Sequence, residues 1–468
     1  MQSLTAVMEF LWGIPLMICM FLTGLILTVK TRFFQFTSLR FIFKNTIGTL
    51  FGKNVKKIEG NGALRPFQAV SAVLASTIGA GSIAGVASAI AIGGPGAVFW
   101  MWIISLFGMM TKMAEVTLAV YYREKGANGH YYGGPMYYMR GGLKRSGKTL
   151  AMIYAITLLI FVITNASFVQ VNTMASAILD IAPIPPIVIG VTVIVIGLIA
   201  VAGGITRIGD FCGKMVPPMC LLYIVCGFGV VIYNYRNIPE AFALIFRYAF
   251  APAPAVGGFA GAGVMMAMSR GASRGIFSNE AGEGTSTPIH ATAITDHPIR
   301  QGLWGCLEVF IVTVIICNLT AFSILTSGEW SSGVTGAVLT INAFQSFWGA
   351  WGKWIVSIAT ILFTFSSFIG YFVQYEAVLT YLWGEKVKNV LKWTYFLPIL
   401  LSVTMSIEAV WTLADLSIGM LVLPNILSLV LMRGKFIELF NDFIKKSSNQ
   451  ETAEGYGTYI ESVDVQQK

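Results

Sequence analysis

Residues 76–85 read Ser-Thr-Ile-Gly-Ala-Gly-Ser-Ile-Ala-Gly, inside a stretch with no charged residue from Pro66 to Thr111. A stretch that apolar is expected to be membrane helix. Glycine costs a helix interior about 1 kcal/mol relative to alanine, so Gly79, Gly81 and Gly85 together predict a helix broken at mid-depth. Unwinding over Gly79, Ala80, Gly81 and Ser82 frees backbone N–H groups at the start of the next half-helix. Those groups carry partial positive charge and suit a carboxylate. The preceding half-helix frees carbonyls that suit a hard cation such as sodium, and Thr77 and Ser82 add hydroxyl oxygens. The plain alternative is that the glycines serve close helix packing. A dinucleotide loop is excluded, because no strand–turn–helix context surrounds Gly79-x-Gly81.

A second Gly-rich segment lies at 257–284, and two places in it could break: Met268-Ser269-Arg270-Gly271 and Ser278-Asn279-Glu280-Ala281-Gly282-Glu283-Gly284. Glu280 and Glu283 near Arg270 and Arg274 could form a gate network, or simply a solvated helix end. Charge inside a membrane is expensive and marks function. Thr164, Asn165, Ser167, Gln170 and Asn172 fall in one apolar run. Gln170 and Ser167, three apart, share a helix face and could meet a substrate amino or carboxyl group or bind helices together. Thr364, Ser366 and Ser367, followed by Tyr371, Gln374 and Glu376, lie in another run, where the adjacent hydroxyls could complete a sodium shell with carbonyls of the first break. Lys112 and Glu115, three apart near a helix end, are expected to pair and snorkel. His130, His290 and His297 show no metal-ligand spacing and are expected at the surface. The six cysteines show no paired spacing, which argues against disulfides or a zinc site.

These residues need membrane helices to position them. The chain has 468 residues, 56% hydrophobic and only 11% charged, against roughly 25% charged in soluble domains. The net charge of +9 is not arranged in stripes, which argues against a nucleic-acid partner and for membrane topology. Apolar runs predict about eleven spans, near 8–29, two sharing 66–121, 149–179, 185–203, 213–233, 257–280, 303–327, 354–382, 393–410 and 412–432. With Glu9 and no basic residue ahead of the run Phe10–Val29, the first is expected to be an uncleaved helix. Alternating these spans puts most Lys and Arg on one side and leaves Arg236, Arg247 and Lys353 on the other. Positive loops stay cytoplasmic, so the expectation is a multi-pass cell-membrane protein, N-terminus outside and C-terminus inside. Residues 32–51 mix Phe with Arg and Lys and suggest an in-plane cytoplasmic helix, with an ordinary loop as the alternative. The polar end, Ser447 to Lys468, is expected to be disordered.

The two broken segments are each followed by four further spans. This predicts an all-α membrane protein of two inverted five-helix repeats, 66–233 and 234–433, after an N-terminal unit 1–65 and before a cytoplasmic tail 434–468. Half-helix ends then face a midplane site. The absence of HExxH, GxSxG or clustered His and Cys argues against a membrane enzyme.

Several runs carry a resemblance: GAGSIAGVASAI (79–90), GGPGAVFWMW (93–102), GMMTKMAEVTLAVYYR (108–123), GGPMYYMRGGL (133–143) and RGIFSNEAGEGTSTPIHATAITDHPIRQGL (274–303). Together these resemble the alanine/glycine:cation symporter family, the sodium:alanine symporters, over about 60–430. The resemblance implies a LeuT-like five-plus-five fold with one extra N-terminal helix, and sodium-coupled import of a small neutral amino acid by alternating access. It implies that Gly79, Ala80, Gly81 and Ser82 hold the substrate carboxylate and that Gln170, with Met268 and Tyr371, faces the ligand. The Ala75 and Ile78 carbonyls, with Thr77, Ser366 and Ser367, would hold sodium; no organic cofactor is implied. The chain departs from the family pattern where Ser82 replaces Asn, Glu283 replaces Leu or Met, Val312 replaces Asp and Tyr371 replaces Trp. The alternative is the same fold using protons as the coupling ion, or carrying another small amino acid or zwitterion.

Overall fold

The computed structural model describes residues 12–50, 64, 66–126 and 129–448. The described chain is mainly helical, with one two-stranded ribbon, Glu124–Lys125 antiparallel to Tyr131–Tyr132. The main helices are α1 (Ile14–Lys30), α2 (Pro66–Thr77), α3 (Val86–Gly93), α4 (Gly96–Tyr121), α5 (Lys144–Ile181), α6 (Pro186–Val201) and α7 (Gly204–Tyr233). They continue with α8 (Ile238–Phe250), α9 (Val264–Asn279), α10 (Thr287–Ala291), α11 (Pro298–Ser327), α12 (Gly336–Trp348), α13 (Ala350–Leu391) and α14 (Ile407–Ser448).

Among the described residues, six helices are long and apolar enough to cross a membrane, or seven if a bent pair counts as one. That pair is the first break: Gln68–Thr77 meets Gly81–Gly93 at 44°. The π-helical turn Gly81–Gly85 opens its second half. Large apolar side chains lie bare on α6 and α7, where Ile199 is 57% exposed, Leu221 63% and Ile232 66%. A belt like this would be costly in water and suits hydrocarbon.

Several expected elements differ. The segment 257–280 is not one span: bridges join Ala253 to Ala262 and Val256 to Phe259, and helix begins only at Val264. Of its two possible breaks, Met268–Gly271 is unbroken helix. The chain instead turns after Asn279, with left-handed backbone at Glu280 (φ 56°), Gly282 (φ 94°) and Gly284 (φ 74°). The segment 393–410 divides into a 3-10 turn, Lys392–Phe396, a short helix, Ile399–Ser402, and the start of α14. The stretch 434–448, the start of the expected cytoplasmic tail, is the helical end of α14, with Phe436, Leu439 and Phe443 buried. It packs on the segment expected in the membrane plane, where the rings of Phe34 and Phe440 meet at 5.0 Å and those of Phe41 and Phe443 at 6.2 Å. That segment forms short helices at Phe34–Thr37, Leu39–Asn45 and Ile47–Leu50, with Phe33, Phe36 and Phe43 left exposed. Residues 1–11, which include the start of the first expected span, and 449–468 lie outside the described residues.

α4 is the central post. Gly271 and Gly275, one turn apart on α9, press against its backbone: a Cβ at Gly271 would lie 2.2 Å from the Ala97 carbonyl oxygen. Gly302 and Gly305 of α11 also press on α4, where added Cβ atoms would stand 2.3 Å from the Thr117 hydroxyl and 2.8 Å from the Val116 side chain. Small residues let membrane helices approach backbone to backbone, and this brings α9 and α11 to the charged end of α4. On the other side, Gly370 of α13 seats against Ser76, where a Cβ would stand 2.7 Å from the Ser76 Cβ. That contact holds the hydroxyls of α13 beside the first break.

Candidate functional site

At the first break, the Ala75 carbonyl accepts two hydroxyl hydrogen bonds from α13, from Ser367 at 2.9 Å and Ser366 at 3.3 Å. Five residues on, the Ala80 N–H donates to the Gln170 Oε1 at 3.0 Å. Gln170 reaches it from a π-helical stretch of α5, Ile163–Gln170; such turns recur at functional sites. Gly79 lies between the two clusters. A Cβ there would stand 2.4 Å from the Ser367 Oγ and 2.7 Å from the Gln170 Oε1, so only glycine fits. Ala75, Ile78, Ala80, Ser82, Gln170, Ser366 and Ser367 are all buried. A carboxylate placed here meets N–H donors and an amide, and a small cation meets carbonyl and hydroxyl oxygens. No charged side chain makes any of these contacts.

The second break packs against the first: a Cβ on Gly81 would meet the Phe277 ring at 2.7 Å and the Ser278 Cα at 3.1 Å. Its chemistry is ionic. The Lys112 ammonium, fully buried, donates to the Asn279 carbonyl at 3.1 Å and lies 3.3 Å from Glu308 and 3.9 Å from Glu280. The Glu308 carboxylate accepts from the Thr77 hydroxyl at 2.5 Å and stands 3.2 Å from His290 Nε2. The Gln301 amide donates to the other ring nitrogen, Nδ1, at 2.8 Å, which leaves the His290 proton on Nε2, facing Glu308. Glu115 accepts from the Asn425 amide at 2.6 Å. Tyr371 turns its hydroxyl toward Glu280 and rests on the Phe161 ring.

Some expected site residues come together and others do not. Gly79, Ala80, Gly81, Ser82, Ala75, Ile78, Gln170, Ser366 and Ser367 converge on the first break. Thr77 does not join that cluster through its side chain, because its hydroxyl is taken up by Val73 and Glu308. Met268 lies nine residues before Phe277 on α9, about 14 Å along a helix rising 1.5 Å per residue. It sits at the Gly93 end of α3, since Gly93 packs on Ala267 and Arg270. Tyr371 belongs to the ionic cluster. Ser167, Asn165 and Asn172 bond to Tyr395, Ser417, Ser402 and Met405, tying α5 to the segments after α13 and to α14. Thr364 bonds back to its own helix.

The charged residues also pair differently from expectation. Lys112 and Glu115 do not snorkel; both are wholly buried. Glu280 and Glu283 do not meet the arginines. Arg274 instead forms a bidentate pair with Asp415 of α14, Nη2 to Oδ2 at 3.0 Å, with Arg270 3.6 Å from the same carboxylate and Trp411 stacked on Arg274 at 4.3 Å. His290 and His297 are buried rather than superficial; His130 is half-buried. The Nδ1 of His297 caps α11 by accepting from the Ile299 N–H at 3.1 Å. Burial pushes its imidazole down from 6.5 to about 4, while Asp442, 3.4 Å away, pulls the other way. Glu308 and Asp415 had not been singled out in the sequence. Each is a lone carboxylate in an apolar span, and that was the available signal.

On the side of the ribbon, a cavity of about 170 Å³ is lined by Tyr132, Pro288, Thr292, Glu376 and Lys388 among others. Pro288 is three residues beyond Thr285, so this cavity adjoins the second break.

The model of the sodium:alanine symporter family matches residues 1–456. The chain belongs to that family. This symporter-family chain is 39% identical to an uncharacterized transporter, YflA, of Bacillus subtilis, over 93% of this chain and 92% of that one. It is 33% identical to the sodium/alanine symporter AgcS of Methanococcus maripaludis, over 94% of this chain and 97% of the other. In fold it is similar to the crystal structure of MhsT in complex with L-phenylalanine, with TM-score 0.59 and 13% identity, covering 80% of this chain and 90% of that one. The fold is thus the LeuT type the resemblance implied. The protein is a multi-pass membrane transporter of the amino-acid symporter kind, not an enzyme.

Proposed function

We propose that the protein imports a small neutral amino acid, of the alanine and glycine type, together with sodium, by alternating access. The observation that carries this reading is the cluster at Ala75, where a helix-end carbonyl and two α13 hydroxyls gather next to the Gln170–Ala80 contact. Sodium takes the Ala75 and Ile78 carbonyls and, once their hydroxyls rotate, Ser366 and Ser367. The substrate carboxylate takes the N–H groups of the Gly79–Ser82 turn and displaces Gln170 from Ala80. The absence of room at Gly79 favours a small side chain.

The division into inverted repeats, 66–233 and 234–433, accounts for two breaks lying side by side. The excess of Lys and Arg on one side supports a cytoplasmic C-terminus. In that orientation Arg274–Asp415 closes the outer side of the breaks, and the 170 Å³ cavity lies toward the inner side.

The test is uptake by purified protein in liposomes. Alanine and glycine should accumulate under an inward sodium gradient and not under potassium, and a competition panel of the 20 amino acids should rank small neutral ones first. Absence of gradient-driven uptake for every amino acid would sink the reading.

A further inference from the structure

The second break holds more negative charge than its surroundings can balance. Glu115, Glu280, Glu283 and Glu308 are at most 3% exposed, and Lys112 is the one ammonium among them. With His290 neutral and all four carboxylates ionised, the cluster would carry one positive and four negative charges, a net of −3. Burying one uncompensated charge costs several kcal/mol. Arg270 and Arg274 are engaged by Asp415 and face other groups.

The geometry singles out Glu283. The Thr285 hydroxyl lies 2.7 Å from Glu280 Oε2 and 3.3 Å from Glu283 Oε2. A hydroxyl has one hydrogen to donate and two lone pairs with which to accept. Glu280, which also faces Lys112, takes that hydrogen. The longer contact is then satisfied if Glu283 is the donor. Among the described residues no cation lies in ion-pair contact with Glu283, and its other oxygen, Oε1, is buried without a hydrogen-bond partner there. The groups that face it are Glu280 from its own loop, Lys112 and Glu115 from α4, Tyr154 from α5 and Tyr371 from α13. Three of the five are phenols or an amine-bound carboxylate, and none is a free cation.

We propose that Glu283 is a proton-binding site of this transporter: a carboxylic acid that donates to Thr285 in the conformation seen here and releases its proton when the second break opens to water. The proton leaves toward the adjoining cavity, whose wall includes Pro288 and Thr292. The site is separate from the cluster at Ala75. Its existence stands on the geometry of the second break; only its effect on uptake rests on the transport reading above.

Two measurements test it. Infrared difference spectra of the purified protein across a pH titration should show the carbonyl stretch of a buried carboxylic acid at neutral pH, absent in Glu283→Gln and in Glu283→Met. Under a fixed sodium gradient, wild-type uptake should fall at alkaline pH, with a slope approaching about tenfold per pH unit, the limit for one essential proton. Glu283→Gln, which keeps the shape of the acid, should transport with that alkaline limb flattened. The methionine variant removes a buried acid outright and supplies the same readouts if the glutamine variant does not fold. An acid band missing from wild type, or surviving in both variants, overturns the proton site. A band that behaves as expected alongside identical pH profiles overturns its release during transport. If wild type shows no sodium-driven uptake at all, the transport reading fails while the infrared result still decides whether Glu283 holds a proton.

Discussion

At the first break, the polar groups that meet are neutral: the Ala75 carbonyl, the hydroxyls of Ser366 and Ser367, the Gln170 amide and the Ala80 N–H. At the second, only a few residues away across the Gly81–Phe277 contact, an ammonium sits among four carboxylates. Both interrupt a helix where the backbone must find partners other than its own ladder. The first does so with dipoles, which can turn to meet a cation or an anion at little cost. The second does so with fixed charge, which holds its neighbours firmly and makes its state depend on protons. A neutral break is suited to taking ligand on and off, whereas a charged one is suited to fixing and sensing conformation.

The largest expected effect tests the charged side. Lys112→Met leaves Glu280 and Glu308 without their counter-ion, and removing one partner of a buried pair costs about 3–5 kcal/mol. Thermal unfolding in detergent should show a large drop, partly restored by adding Glu308→Gln. An unchanged melting temperature would mean that the cluster does not hold the breaks together.

Acid stability comes next, because a titrating group outside both breaks must be separated from them. His297 has a folded value of about 4 against 6.5 unfolded. The unfolded chain therefore binds the extra proton first, and stability is full above 6.5 and falls as pH drops through the window to about 4. The loss amounts to about 3 kcal/mol over that window, at 1.36 kcal/mol per unit. His297→Gln should flatten the acid limb of a melting-temperature profile; any limb that remains belongs to other groups, the second break among them.

Steric limits at the neutral break should cost somewhat less. A methyl group at Gly79 collides with Ser367 and Gln170. Overpacking costs typically 1–3 kcal/mol of stability, so Gly79→Ala should lower the melting temperature and, by displacing Ser367 or Gln170, lower uptake about tenfold or more. Wild-type uptake in that variant would remove Gly79 from the site. The smallest effect is expected from Ser367→Ala. Losing one hydroxyl of about 0.5–1.5 kcal/mol should raise the sodium concentration for half-maximal uptake by a few-fold to about tenfold. A variant that changed the amino-acid dependence and left the sodium dependence alone would separate α13 from the ion.

The first break was legible because its signal is local. Glycines inside an apolar run disfavour helix wherever the run ends up, and Gln170, Ser366 and Ser367 were conspicuous as polar residues in apolar spans. The second was legible only as one of two positions, Met268–Gly271 or Ser278–Gly284, and not as a network. Spacing on one helix suggested Lys112 with Glu115, and proximity in sequence suggested Glu280 and Glu283 with Arg270 and Arg274. In the structure, Lys112 meets Glu280 and Glu308, and the arginines meet Asp415. Thr77 and Met268 were misplaced for the same reason: which way a helix turns its side chains is decided by its neighbours.

The sequence by itself determined that this chain lives in a membrane, where its first helix break falls, and which family it resembles. Those follow from the transfer of apolar side chains out of water and from the backbone freedom of glycine, both properties of short segments. Only the tertiary structure decided which charges face one another. Their pairing depends on how closely the glycine-lined faces of α9 and α11 approach α4, and a charge sealed in that interior must find its counter-ion, or a proton, among whatever the packing brings within reach.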